Sequence, residues 1–414
     1  MRKYLPTAIP LACIALFIAA ATFKISYPGL QNDELLWVNG ALGDLDGSYI
    51  FKKIGPFPIL SMPYLGAVAS YLYWFVFKIF SPSIWSIRLP EILTAAFGIW
   101  GFYRLAKRHF GDRTAWMATS LLALNGAFVW ATREGYSGLE FPIEVLALVF
   151  LLGGVTIWPA FFFFLLGVYY KISFVHWGCG ILFACFWAYP HLRRRAFLLA
   201  VVLAASLLLW QWYVDFSFHQ EVATNFAERW KTFSSFCAQL VMGTTYYNFV
   251  MKPYPGSELF GAVVPALYFL RERSAELLFL LLSLLAITAA IFMSSRAISH
   301  WHWLPILPIF ILLTAYLFSR VGRLGIVFWG IYLLQLIYVQ GIYFQGTERD
   351  PVFKLFSTGI YSLISFCQQD HRRCSSVEWG THNQLLAFVQ DPERVLWFGH
   401  KPVLAENIFY ITYS

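Results

Sequence analysis

The chain has 414 residues, 59% of them hydrophobic and 13% charged, with a mean hydropathy of +0.61. Soluble domains carry roughly 25% charged residues, so this composition excludes a soluble globular protein and marks a polytopic membrane protein. The formal net charge of +8 does not point to nucleic acid, because the basic residues form short clusters between apolar runs, as cytoplasmic loops do under the positive-inside rule.

In chain order, a short basic start (Arg2, Lys3) leads into an apolar run from Leu5 to Phe23. That run is long enough to span a bilayer. No small-x-small cleavage site precedes the acidic pair Asp33–Glu34, so it reads as a retained helix. The stretch Phe57–Phe80 is apolar but carries Pro58 and Pro63 and is rich in Tyr and Trp, which suits an amphipathic interfacial helix. Further spans are expected at Leu89–Leu105, Ala115–Ala131, Phe174–Tyr189, Ala196–Trp212, Leu259–Leu270, Leu277–Met293, Trp303–Phe318 and Ile326–Tyr343. The run Phe141–Tyr170 is read as two short helices broken near Gly153-Gly154.

The basic clusters decide the two ambiguous segments. With Phe57–Phe80 on the interface, four clusters fall inside: Lys107-Arg108-His109 with Arg113, Arg193 to Arg195, Arg271 with Arg273, and Arg320 with Arg323. With that stretch as a span, all four move outside. The expectation is an all-α polytopic membrane protein of about eleven transmembrane helices, N-in and C-out. Amphipathic interfacial helices are expected in a first external loop over residues 24–88. Residues 1–343 form the transmembrane module, and 344–414 a small extracytoplasmic segment. There Cys367 and Cys374 lie close enough for a local disulfide. Cys13, Cys179 and Cys185 fall in apolar spans and read as inert core residues. No nucleotide-binding glycine loop occurs, so ATP-driven transport has no visible engine.

Three constellations could carry chemistry. Asp33–Glu34 reads either as a helix start capped by Asn32 or as a general base at the membrane face, taking a proton from an acceptor hydroxyl. The second external loop, Arg133-Glu134-Gly135-Tyr136-Ser137-Gly138-Leu139-Glu140, could simply be solvated. Glu144 is harder to dismiss: it lies one helical turn beyond Glu140, on the same face and inside an apolar span. Arg296, His300 and His302 run into Trp303-Leu304-Pro305-Ile306-Leu307-Pro308. They read as interfacial anchors or as a cationic patch for a phosphate, which Lys171, at another external turn, would join. A divalent metal at Asp33 and His302 is left open, since no tighter ligand motif supports it. Acids and cations thus collect on one face. Transfer from a lipid phosphate needs both: positive groups to neutralise the departing phosphate and a base for the attacking hydroxyl.

At these residues the chain resembles the C-type, polyprenyl-phosphate-dependent integral-membrane glycosyltransferases. The nearest branch is the one that holds protein O-mannosyltransferases and aminoarabinose lipid A transferases. Four stretches carry the resemblance: Asn32-Asp33-Glu34 after the first span; Arg88-Leu89-Pro90 and Arg108-His109-Phe110-Gly111 bounding the next; Ala131 to Tyr136; and His302 to Pro308. The resemblance implies that Asp33 is the base and that Glu34 supports it or contacts the donor sugar. Glu134 or Glu140 would line the same cavity, and His302 with Arg296 would hold the lipid phosphate. Tyr136, Glu144, His300 and Lys171 join the candidate donor-binding residues by their place on the same face. Gly135 stands where many relatives carry a larger or basic residue, and the C-terminal segment is shorter than the soluble domains of protein-directed branches. The implied reaction moves a sugar from a polyprenyl-phosphate donor to a lipid, envelope-glycan or protein hydroxyl. It would take place in a bacterial inner membrane, with the active site facing the periplasm or cell exterior and membrane lipids as its surroundings. The competing readings are a flippase or transporter of lipid-linked sugars and a non-catalytic subunit of a membrane complex.

Overall fold

The computed structural model describes residues 5–27, 29–30, 34–43, 50–135, 138–154, 156–214, 274–293, 304–349, 359–369, 373–376, 379–391, 393–397 and 408–411, with a few more between 226 and 234. The protein is mostly helical. Three helices are long and apolar enough to cross a membrane by length and composition: Pro190–Val214, Ala275–Met293 and Gly322–Gln345. Shorter apolar helices, among them Trp158–Tyr170 and Phe174–Ala188, pack around them. Large apolar side chains point outward from the bundle, including Phe197, Leu208, Trp212, Leu285 and Leu334. An outward apolar shell of this extent belongs in lipid, and the chain is a multi-pass membrane protein.

The helices in chain order are α1 (Leu5–Thr22), α2 (Glu34–Ala41), α3 (Val68–Phe77), α4 (Ile84–Phe110), α5 (Asp112–Ala123), α6 (Gly126–Arg133) and α7 (Glu140–Gly153). They continue with α8 (Trp158–Tyr170), α9 (Phe174–Ala188), α10 (Arg193–Val214), α11 (Ala275–Met293), α12 (Leu307–Arg320) and α13 (Gly322–Arg349). The span read over Ala115–Ala131 is two helices, because Asn125 caps a new start by accepting from the Phe128 amide at 3.2 Å. The span read at Leu259–Leu270 lies outside the described residues.

The all-α expectation is corrected in two places. Within the first loop, Phe57–Phe80 is not one interfacial helix. Lys52–Ile54 (β1), Phe57–Met62 (β2) and Leu65–Gly66 (β3) form an antiparallel sheet before α3 begins. Gly55, at φ +57, makes the turn between β1 and β2. Pro58 and Pro63 disfavour a helix interior, while the aromatic and branched residues that suit an interface suit a strand equally well. The second correction is in the C-terminal segment. There α14 (Gly359–Gln369), β4 (Arg373–Ser376), α15 (Trp379–Val389), β5 (Val395–Trp397) and β6 (Ile408–Ile411) build a parallel sheet of order β5-β4-β6. Cys367 and Cys374 are joined in a disulfide that ties α14 to β4. Of the three cysteines read as core, Cys13 and Cys185 are buried, but Cys179 is exposed on the outer face of α9.

Aromatic pairs lock the helices together: Phe17 with Phe128 at 5.4 Å, Phe128 with Phe141 at 4.8 Å, Trp116 with Trp329 at 4.8 Å and Trp130 with Phe344 at 5.2 Å. Such contacts add about 0.5–1.5 kcal/mol each beyond area burial. The alternating chain direction brings Lys107, Arg108, Arg113, Arg193 to Arg195, Arg320 and Arg323 to one end of the bundle. Arg108 reaches the Gly153 carbonyl at 3.2 Å, Arg195 the Gly154 carbonyl and Arg113 the Gly322 carbonyl.

Candidate functional site

The opposite end is built of buried charge. Arg88, on the first turns of α4, donates from Nε to Glu34 Oε2 at 2.8 Å and from Nη2 to Glu34 Oε1 at 2.7 Å. Its Nη1 donates to the Ile25 carbonyl at 2.6 Å, and Nη2 also reaches the Gly29 carbonyl at 3.2 Å. Both side chains are fully buried. A two-pronged guanidinium–carboxylate pair fixes direction as well as charge. One arginine therefore holds the chain on both sides of residues 31–33. Arg133, at the end of α6, donates to the carbonyls of Phe23 and Lys24 and stacks over the Trp130 ring at 4.4 Å. Two buried arginines thus grip the segment that leads from α1 into α2.

The C-terminal segment grips the same stretch from the other side. Tyr361 Oη donates to the Ser26 carbonyl at 3.0 Å, and Gln384 Nε2 to the Leu30 carbonyl at 2.6 Å. Asn39 Nδ2 donates to the Asn383 carbonyl at 3.1 Å. Burial pushes the Tyr361 phenol up to about 12, so its hydroxyl keeps its proton and stays a donor at any working pH. Thr381 to Gln384 are all buried at this contact.

A second acidic group lies on α7. Glu140 and Glu144 are buried, and Lys171 Nζ stands 3.9 Å from Glu140 Oε2. Glu140 Oε1 and Glu144 Oε1 have no hydrogen-bond partner among the described residues. Both acids line a small cavity shared with Phe128, Leu304, Pro305 and Pro308, so the late Leu-Pro motif meets the acids of α7. Lys171 is placed by the first-loop sheet: Leu65 bridges to it, and the Ile172 amide donates to the Tyr64 carbonyl at 3.2 Å. Gly66 is needed there, since a Cβ would sit 1.6 Å from the Tyr169 carbonyl oxygen. Trp37 closes the gap to α2, stacking on Tyr170 at 5.6 Å and donating to the Gly66 carbonyl at 3.2 Å.

Of the residues singled out from sequence, the structure gathers Glu34, Glu134, Glu140, Glu144 and Lys171 at this end, all but Lys171 buried. Asp33, Tyr136, Arg296, His300 and His302 lie outside the described residues. Among the described residues no group of three or more His, Cys, Asp or Glu side chains could hold a metal ion. Sequence reasoning missed the role of Arg88, which stood only as the start of a motif 54 residues from its partner. It also missed Glu91, which is fully buried with the Tyr73 hydroxyl 3.4 Å from its Oε1. The helical offset from Arg88 to Glu91, one turn on the same face, was the available signal.

Solved structures share the fold of this chain. ArnT from Cupriavidus metallidurans bound to undecaprenyl phosphate aligns with TM-score 0.61 at 14% identity, over 94% of this chain and 85% of that one. The Archaeoglobus fulgidus oligosaccharyltransferase in complex with Zn and sulfate aligns with TM-score 0.56 at 13% identity, over 92% and 61%. The same enzyme tethered to an acceptor peptide containing the NVT sequon gives 0.54 at 15%, over 94% and 63%. The likeness is one of fold over nearly the whole chain. The family model described as dolichyl-phosphate-mannose-protein mannosyltransferase matches residues 65–214, which takes in β3 through α10. A comparison with curated protein sequences returned no match.

Proposed function

We propose that this chain is a glycosyltransferase that moves a sugar from a polyprenyl-phosphate donor to an acceptor hydroxyl. Asp33 is the base that takes the hydroxyl proton as the new bond forms. The observation that carries this reading is the grip on residues 23–34. Buried arginines and the C-terminal segment hold both flanks of Asn32-Asp33, an investment of buried charge that a passive linker does not need. Glu34, with both oxygens taken by Arg88, positions the neighbouring base and does not itself move a proton.

The undecaprenyl phosphate named with the Cupriavidus protein supports a lipid phosphate as leaving group here. His302, Arg296, His300 and Lys171 would neutralise it, and Glu134, Tyr136, Glu140 and Glu144 would bind the sugar. The positive-inside rule assigns the arginine-rich end to the cytoplasm and the acidic end to the exterior. The Cys367–Cys374 disulfide on that side agrees with an oxidising compartment. About eleven spans, N-in and C-out, complete the topology, with residues 1–343 as the transferase module and 344–414 as its external cover. A bacterial inner membrane suits short external loops.

The test incubates the purified full chain with labelled lipid-linked sugars and an envelope-lipid acceptor. Release of lipid phosphate with the label on the acceptor is the expected result. Label that crosses between leaflets with its sugar bond intact would make the chain a flippase instead. Neither release nor movement would leave the accessory-subunit reading.

A further inference from the structure

The arginine-rich end holds a groove that plays no part in the transfer chemistry. It has a volume of about 600 Å³ and is lined by Trp100, Tyr103, Arg104, Lys107, Arg108 and Val149. Arg104 and Arg108 stand one turn apart on α4, so their guanidinium groups share a face. Arg104 is exposed and has no carboxylate partner among the described residues. Arg108 rests on the Gly153 carbonyl at the C-terminal end of α7, at 3.2 Å. Among the described residues the acids nearby are few. Asp112 pairs with Lys107 at 3.0 Å, and Glu276 acts electrostatically on His109, which also lines the groove. The groove therefore keeps a net positive charge.

The same helix face continues as apolar surface. Leu93 and Phe97, two turns and one turn back from Trp100, are 50% and 60% exposed. From Leu93 to Arg104 the helix rises about 16 Å, close to the reach of one acyl chain. An aromatic collar at Trp100 and Tyr103 separates the apolar stripe from the cations, the order of a membrane interface.

We propose that this groove is a binding site for one anionic phospholipid, with its headgroup phosphate between Arg104 and Arg108 and an acyl chain along Leu93 and Phe97. Basic pockets between spans on the cytoplasmic side recognise acidic headgroups in this manner. A soluble phosphate would satisfy the cations but leave the adjoining apolar stripe without a partner.

The test uses the full chain, stripped of lipid in detergent and returned to nanodiscs holding equal amounts of phosphatidylglycerol and phosphatidylcholine, with retained lipid read by native mass spectrometry. The expected result is one phosphatidylglycerol retained in preference to phosphatidylcholine by roughly tenfold. Arg104→Ala with Arg108→Ala removes that preference, whereas Arg104→Lys with Arg108→Lys keeps most of it. Phe97→Gln weakens retention with the charge unchanged. Arg194→Ala with Arg323→Ala, exposed cations outside the groove, leaves it as in the wild type. Unfolding of the alanine pair shows as altered elution, and the lysine and Phe97→Gln variants then decide. Equal retention of both lipids, an equal loss from the Arg194 and Arg323 pair, or displacement of the lipid by millimolar inorganic phosphate overturns the proposal.

Discussion

At one end of the helix bundle Arg104, Arg108, Arg194 and Arg323 are exposed, and Arg108 and Arg193 lean on carbonyls near helix ends. At the other end Glu34, Arg88, Glu91, Arg133, Glu134, Glu140 and Glu144 are all buried, each at 4% exposure or less. The surface charges cost little to place, and they set orientation in the membrane. The buried ones each carry a desolvation cost of several kcal/mol that must be offset by partners. A membrane protein that needed only stability would fill such positions with leucine. Among the described residues they gather at one end, and the proposed function places the transfer chemistry there.

Breaking one member of the buried set is expected to give the largest effect. Arg88→Ala strands the Glu34 carboxylate and should cost about 3–5 kcal/mol, read as a large fall in thermal unfolding temperature in detergent. Replacing both partners, Glu34→Leu with Arg88→Met, should recover most of that stability while transfer stays lost. Recovered transfer in the double variant would show the pair to be structural only. Next in size, Cys367→Ser with Cys374→Ser should loosen the C-terminal segment by about 2 kcal/mol. Transfer should slow several-fold, and reductant should slow the wild type to the same level; a reduced wild type at full rate would detach this segment from the site. Gln384→Ala removes one donor to the Leu30 carbonyl. It is expected to cost about 1 kcal/mol and to lower kcat a few-fold with KM little changed, which steady-state kinetics on the lipid donor would read. The smallest effect belongs to the other end: Arg194→Ala should change stability by less than about 0.5 kcal/mol and leave the transfer rate untouched.

The same contrast explains what could be read from the sequence. Apolar runs and basic clusters are local, so α4, α7, α9 and α10 follow from composition along the chain, as does the break between α7 and α8 at Gly153-Gly154. The Cys367–Cys374 pair is local too, seven residues apart. The first-loop sheet was missed because aromatic and proline-containing apolar sequence fits a membrane interface and a strand alike. The three parallel strands after residue 372 have only three or four residues each, and parallel pairing is set by distant partners. The site was legible as a set of residue types but not as a set of pairs. Glu34 finds its cation 54 residues on, and Leu30 its amide donor 354 residues on. No periodicity reports a contact of that range.

The central claim is that the gripped segment presents Asp33 as the base of a sugar transfer. The measurement that tests it most directly is lipid phosphate release from a labelled polyprenyl-phosphate sugar by the Asp33→Asn variant. It is compared with the wild type at equal amounts of folded, membrane-inserted protein. The account predicts a fall of about a hundredfold or more, the usual contribution of a positioned general base, with the unfolding temperature unchanged. Release at the wild-type rate would contradict it.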